Sequence, residues 1–167
     1  GGIVTNAFGA PTATTIANSG AITAVGPQTH GIVGFASTAS TSTPATVSIT
    51  NGGAISTDGL AAYGILAQSA GGRVNLTLDN TASGTITLAN ADASTGIFAL
   101  AQTASGDLSV TNAAAISTSG LDAASRAIGL SSFGAPAGGN YTFTLVNSGA
   151  LTLDTILARS EEHTSEL

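Results

Sequence analysis

The chain has 167 residues, a formal net charge of −6 and only 7% charged residues, against the usual quarter or so of a globular protein. Nine acidic and three basic residues leave no basic patch for a nucleic-acid backbone, and no apolar run is long enough to span a bilayer as a helix. With no cysteine there are no disulfides or thiolate metal sites, and abundant Gly, Ala, Ser and Thr beside absent Lys, Met and Trp argue against an ordinary helical domain.

In chain order, the sequence reads as one unit repeated in degenerate form. Residues 1–17 hold a partial unit, in which Ile3-Val4 and Thr14-Thr15-Ile16 have strand character. Complete units follow at 18–50, 51–79, 80–111 and 112–146, and a last partial unit opens at Asn147. Each unit carries three sub-motifs in fixed order. The first is Asn, small residues, then Ile or Leu: Asn18 to Ile22, Asn51 to Ile55, Asn80 to Ile86, Asn112 to Ile116 and Asn147 to Leu151. The second is Gly-Ile, at Gly2-Ile3, Gly31-Ile32, Gly64-Ile65 and Gly96-Ile97, with Ala127-Ile128 as a variant. The third alternates apolar and polar residues into the next Asn, as in Val74-Asn75-Leu76-Thr77-Leu78. The Asn positions lie 33, 29, 32 and 35 residues apart, a period that marks a solenoid or array.

A period of two within each sub-motif predicts short strands with one buried and one wet face. Turn residues separate them. Ser37 to Thr43 ends at Pro44, Ala91-Asp92-Ala93 reads as a turn, and Ser131 to Asn140 forms the longest loop. Pro11, Pro27, Pro44 and Pro136 all fall between predicted strands. No single unit can bury its own apolar face, so the expected fold is all-β: a parallel β-solenoid of about five coils, with three short strands per coil. At a recurring corner, Asn18, Asn51, Asn80, Asn112 and Asn147 are expected to form a structural ladder through their stacked amides.

The last nine residues depart from the pattern. Arg159 to Leu167 holds every Glu of the chain, whereas the six earlier acids are all Asp. The stretch resembles the in-frame translation of a common sequencing-library adapter. Residues 159–167 are therefore expected to be a non-native tail, and 1–158 a fragment truncated at both ends.

The succession Asn-Ser-Gly-Ala-Ile, Ala-Tyr-Gly-Ile-Leu-Ala-Gln-Ser, Gly-Gly and Val-x-Leu-Thr-Leu resembles passenger domains of Gram-negative autotransporters, and more broadly adhesin-like β-helices. The resemblance covers essentially residues 1–155. It implies a right-handed parallel β-helix at the bacterial cell surface. It also implies a parent protein carrying an outer-membrane β-barrel translocator, and a ligand on a host surface, in matrix or on a glycan. The expected role is a non-enzymatic stalk that supports adhesion, without cofactor, nucleic acid or membrane insertion by this segment. The alternative is a fragment of a β-helix carbohydrate-active enzyme, a polysaccharide lyase or hydrolase.

The catalytic candidates are few. His30 precedes Gly-Ile in a slot that holds Tyr63, Thr95 and Arg126 in other units, which predicts a solvated surface position rather than a metal or catalytic role. Asp58, Asp79, Asp92, Asp107, Asp122 and Asp154 lie singly at predicted turns. Stacking could bring Asp58, Asp92 and Asp122 together, and a glycosidase needs such a carboxylate pair. Arg73 and Arg126 occupy different slots, so no basic group recurs beside them. Thr50, Thr77, Thr111 and Thr144 are expected on an ordinary outer strand face. The sequons at Asn75 and Asn140 read as accidental in a bacterial protein.

Overall fold

A computed structural model describes residues 2–9, 12–120, 125–133 and 140–155. Among these residues every regular element is a strand. The first coil supplies β1 (Ile3–Phe8), β2 (Ala13–Asn18) and β3 (Ile22–Val25), and the second β4 (His30–Thr38), β5 (Ala45–Asn51) and β6 (Ile55–Asp58). The third holds β7 (Tyr63–Asn80) and β8 (Ile86–Ala89), and the fourth β9 (Thr95–Asn112) and β10 (Ile116–Gly120). The fifth adds β11 (Arg126–Ser132), β12 (Tyr141–Asn147) and β13 (Leu151–Thr155). Neighbouring strands are parallel throughout, and the chain winds as a right-handed β-solenoid of about four turns.

Three faces result. The first stacks β1, β4, the first half of β7, the first half of β9, and β11. The second stacks β2, β5, the later halves of β7 and β9, and β12. The third stacks β3, β6, β8, β10 and β13. Strand stacking at about 4.8 Å places each residue over its equivalent in the next coil. Ile3, Ile32, Ile65, Ile97 and Ile128 share one column, and Ile22, Ile55, Ile86, Ile116 and Leu151 another. Most of these side chains are buried and form one continuous core with Val47, Leu76, Leu78, Leu108 and Val110.

The third and fourth coils depart from three short strands. β7 and β9 each run 18 residues without a break and pass from the first face to the second. In β7 the buried positions alternate to Ser69 and resume at Gly72, so Ala70 and Gly71 both point outward. That extra residue turns the corner like a β-bulge while keeping the apolar set inside. Gly71 has φ of +101°, and a Cβ there would meet the Thr38 carbonyl oxygen. In the second coil the strands part at the Ser/Thr segment, where Pro44 precedes β5. The expected Ser131 to Asn140 loop starts too early, because β11 runs to Ser132, and residues 134–139 lie outside the described residues. Pro27 lies in a turn, and Pro11 and Pro136 fall outside the described residues.

The Gly-Ile motif locks the first face to the third. A Cβ on Gly31, Gly64 or Gly96 would lie 2.5, 2.5 or 2.6 Å from Cγ2 of Ile55, Ile86 or Ile116 in the same coil. The fifth coil substitutes at both positions: Ala127 takes the glycine slot and Leu151 the isoleucine slot. Leucine branches one carbon further out and has no Cγ2, so the exchange makes room for the added Cβ.

The outward positions differ between faces. Thr15, Ser48, Thr77, Ser109 and Thr144 form a hydroxyl column on the second face, and Thr23, Ser56, Thr87, Ser117 and Thr152 one on the third. Thr and Ser alternate along both. Two residues after the Ile22 column run Ala24, Thr57, Leu88, Thr118 and Leu153, and the hydroxyls of Thr57 and Thr118 are buried there without a hydrogen-bond partner. The four threonines named in the sequence reading do not form one row. Thr77 and Thr144 belong to this hydroxyl column, whereas Thr50 and Thr111 flank Asp79 in the next.

Gly64→Ala should destabilise the chain by about 1–3 kcal/mol, because the new Cβ meets the Gly96 carbonyl as well as Ile86. Gly20, with nothing within 4 Å of its would-be Cβ, serves as the control, and Gly20→Ala should shift stability by less than about 1 kcal/mol. Urea melts of the two variants make the comparison, and equal melts would contradict the interlock.

Candidate functional site

The most regular polar feature is the corner between the second and third faces. Each coil leaves the second face at an asparagine, and the in-register pairs Asn18↔Asn51, Asn51↔Asn80, Asn80↔Asn112 and Asn112↔Asn147 put all five in one column. The Nδ2 of Asn18 donates to Oδ1 of Asn51 at 2.8 Å, and Asn51 to Asn80 at 2.8 Å. Asn80 donates to Asn112 and Asn112 to Asn147, each at 2.7 Å. The second Nδ2 hydrogen closes the local turn by donating two residues on, to Gly20 O, Gly53 O, Ala114 O or Gly149 O, each at 2.9 Å. The Asn80 turn is two residues longer than the others, and the chain returns to register at Ile86. Asn51, Asn80 and Asn112 are 0% exposed. Their amides are thus satisfied in the interior, where an unpaired amide would be costly. This column is structural chemistry: neutral amides bonded to one another supply no acid, base or nucleophile.

The opposite corner, entering the first face, uses serine. Ser94 Oγ accepts from the Ala62 amide at 2.9 Å, and Ser125 Oγ from the Ser94 amide at 3.4 Å. The sequence reading missed this pair, whose signal is a serine two residues before the glycine slot in two units.

Beside it lies a shallow pocket of about 310 Å³ lined by Gln28, His30, Ala61 and Tyr63. Gln28 and Ala61 adopt positive φ, 55° and 52°, as does Ala93 in the next coil at 54°, so the left-handed turn residue recurs from coil to coil. His30 is half-buried rather than freely solvated. Its Nδ1 accepts from the Tyr63 amide at 3.2 Å, which places the neutral ring's proton on Nε2. The two rings lie 5.1 Å apart at 50°, and Tyr63 stacks on Phe98 at 5.6 Å and 9°. Burial pushes the His30 pKa below its ordinary 6.5, opposed by a backbone hydrogen bond involving Thr29.

The acids do not converge. Asp58 lies in register with Ala89, and its Oδ1 accepts from Asn90 Nδ2 at 2.7 Å. Asp92 instead sits in the turn before β9, where its carbonyl accepts from the Ala61 amide at 2.8 Å. Asp92 lies three residues beyond Ala89, the residue stacked on Asp58, so stacking does not bring the two together; Asp122 lies outside the described residues. Asp79 stacks between Thr50 and Thr111. Asp107 lies 3.6 Å from Arg73, with both side chains about half exposed (52% and 46%), a pairing worth little in solvent. Arg126 stands on the first face beside Thr95, away from this pair. The Asp154 backbone pairs with Ser119 in the last layer. Among the described residues no three His, Cys, Asp or Glu groups are placed to hold a metal ion.

Comparisons with protein-family models, curated proteins and solved structures return no match.

Two predictions follow from this geometry. Asn80→Asp replaces the donor to Asn112 with an oxygen, so at neutral pH it should cost about 1–3 kcal/mol or more. Protonation restores a donor, so the folded pKa of this carboxyl rises above its unfolded value and the lost stability returns as pH falls through that folded pKa. Melts from pH 7 to pH 3 test this, and a variant that loses stability steadily on acidification would contradict it. His30 works in the other direction. Its folded pKa lies below the unfolded one, so its contribution is full above about 6.5 and is lost as pH falls through the folded value. Tm should therefore drop between pH 7.5 and pH 5, and His30→Gln should flatten that drop.

Proposed function

We propose that this chain is a stalk segment of an autotransporter or adhesin-like surface protein: a rigid rod that carries binding surfaces away from the bacterial cell and performs no catalysis itself. The observation that supports it is the five-layer stack with its buried asparagine column. Each coil is bonded to the next by backbone and side chain at the same corner, so length can be added coil by coil without a new core. Such a nearest-neighbour fold suits export as an unfolded chain and folding from one end. The scattered acids and the exposed Arg73–Asp107 pair favour a spacing and binding role over hydrolysis. In the parent protein an outer-membrane β-barrel translocator would tether the rod, placing this segment outside the cell.

The test is the gene of origin. The reading should continue past residue 158 into further coils and then into amphipathic strands with aromatic girdles able to close a membrane barrel. A reading frame that passes instead into a domain with clustered His, Asp or Ser would make the solenoid part of an enzyme and sink the proposal.

A further inference from the structure

The asparagine corner also governs a covalent reaction of the chain with itself. Of the asparagines in the sequence, Asn51 alone is followed by glycine. An Asn-Gly pair is the one most prone to cyclise, because no Cβ hinders the glycine nitrogen as it approaches the preceding side-chain carbonyl. Asn51 is at the same time a fully buried member of the ladder. Reactive chemistry and structural role therefore fall on one side chain.

The folded corner occupies every group that the reaction needs. The nucleophile is the Gly52 amide nitrogen, which donates to the Asn18 carbonyl of the preceding coil at 2.7 Å. The electrophile is the Asn51 side-chain amide. Its Oδ1 accepts from Asn18 Nδ2 at 2.8 Å, and its Nδ2 donates to Gly53 O at 2.9 Å and to Asn80 Oδ1 at 2.8 Å. The same backbone bond recurs up the stack: the Thr81 amide donates to Asn51 O at 2.9 Å, and Ala113 and Ser148 donate to Asn80 O and Asn112 O at 2.8 Å each. Stacking thus sequesters the nitrogen that follows each of these ladder residues, and only at position 52 does that nitrogen belong to glycine. Packing does not require the glycine. Equivalent slots hold Ser19, Thr81, Ala113 and Ser148, and a Cβ on Gly52 would first meet the Thr81 hydroxyl, at 3.3 Å.

We propose that Asn51-Gly52 is a latent self-modification site, inert while the first two coils are stacked and deamidating once they part at this corner. The Gly52 nitrogen attacks Asn51 Cγ and a C–N bond forms. The Cγ–Nδ2 bond breaks, ammonia leaves with the nitrogen's proton, and a succinimide remains. Water then opens one of the two imide carbonyls, leaving aspartate or isoaspartate at position 51; nothing is oxidised or reduced. The product does not rebuild the ladder. At neutral pH a carboxylate has no hydrogen for Asn80 Oδ1 or Gly53 O, and isoaspartate also inserts the side-chain methylene into the main chain, against the register. A transient opening becomes permanent, so the lifetime of the stack is set by how seldom this corner opens. The inference goes beyond the rod reading and rests on the corner alone.

The test incubates the full chain at mildly alkaline pH, folded and in urea, and locates deamidation by mass spectrometry of its peptides. In urea, Asn51 should react ahead of Asn80 and Asn112, and Gly52→Ala should abolish that lead, a comparison that needs no folded variant. In the folded chain, loss of Asn51 should be at least about tenfold slower than in urea. Isomerisation at Asp58-Gly59, the one Asp-Gly pair, leaves the mass unchanged and does not enter the count. After dilution from urea, chain modified at position 51 should melt below untreated chain, whereas Gly52→Ala carried through the same treatment should keep its own melt. Equal loss of Asn51 in the folded and unfolded chain overturns the proposal. So does the absence of a lead over the other ladder residues in urea, or a modified chain that melts like the untreated one.

Discussion

Every coil must place its residues directly over their equivalents in the coil before, about 4.8 Å away, and the rest of the structure follows from that requirement. Parallel in-register stacking turns one position of the unit into a column of five. A column of isoleucine becomes core, a column of threonine and serine becomes outer surface, and a column of asparagine becomes a chain of amide hydrogen bonds. A one-residue slip would exchange the buried and exposed sets of every strand, so register is held strongly wherever the core column runs.

Two devices hold that register at the corners. The asparagine amide joins neighbouring coils and also closes its own turn, so the same group fixes the turn's shape and its height on the stack. The Gly-Ile interlock sets how closely the first face approaches the third, and the paired change to Ala127 and Leu151 shows that the two positions act as a unit. Insertions are absorbed between these points. The two extra residues after Asn80 and the Ser/Thr segment before Pro44 leave the flanking columns undisturbed.

Much of this was legible in the residues because the repeat is counted in residues. The recurrence of Asn before Ile, of Gly-Ile, and of alternating Val, Leu and Thr indicates strands, faces and register together. What escaped depends on how coils align. Ala70-Gly71-Gly72 reads as a gap, yet the backbone stays paired on both sides and simply bends, so β7 is one strand. Asp58 reads as a turn residue but closes β6, in register with Ala89, whereas Asp92 lies in the turn three residues further on, so the two carboxylates do not stack. The stacking of Tyr63 on Phe98 was invisible because the two rings occupy different slots of the unit and meet only once the coils are stacked. His30 reads as variable and hence solvated, whereas Tyr63 above it half-covers the imidazole.

The most direct test of the in-register stack is a proton–proton contact map in solution. Side-chain amide protons of Asn51, Asn80 and Asn112 should show contacts in that succession, and the methyls of Ile32, Ile65 and Ile97 should do the same. Contacts linking each strand to the next one in sequence, as in hairpins such as β4 with β5, with no contact between equivalent positions of successive units, would contradict the solenoid and everything built on it.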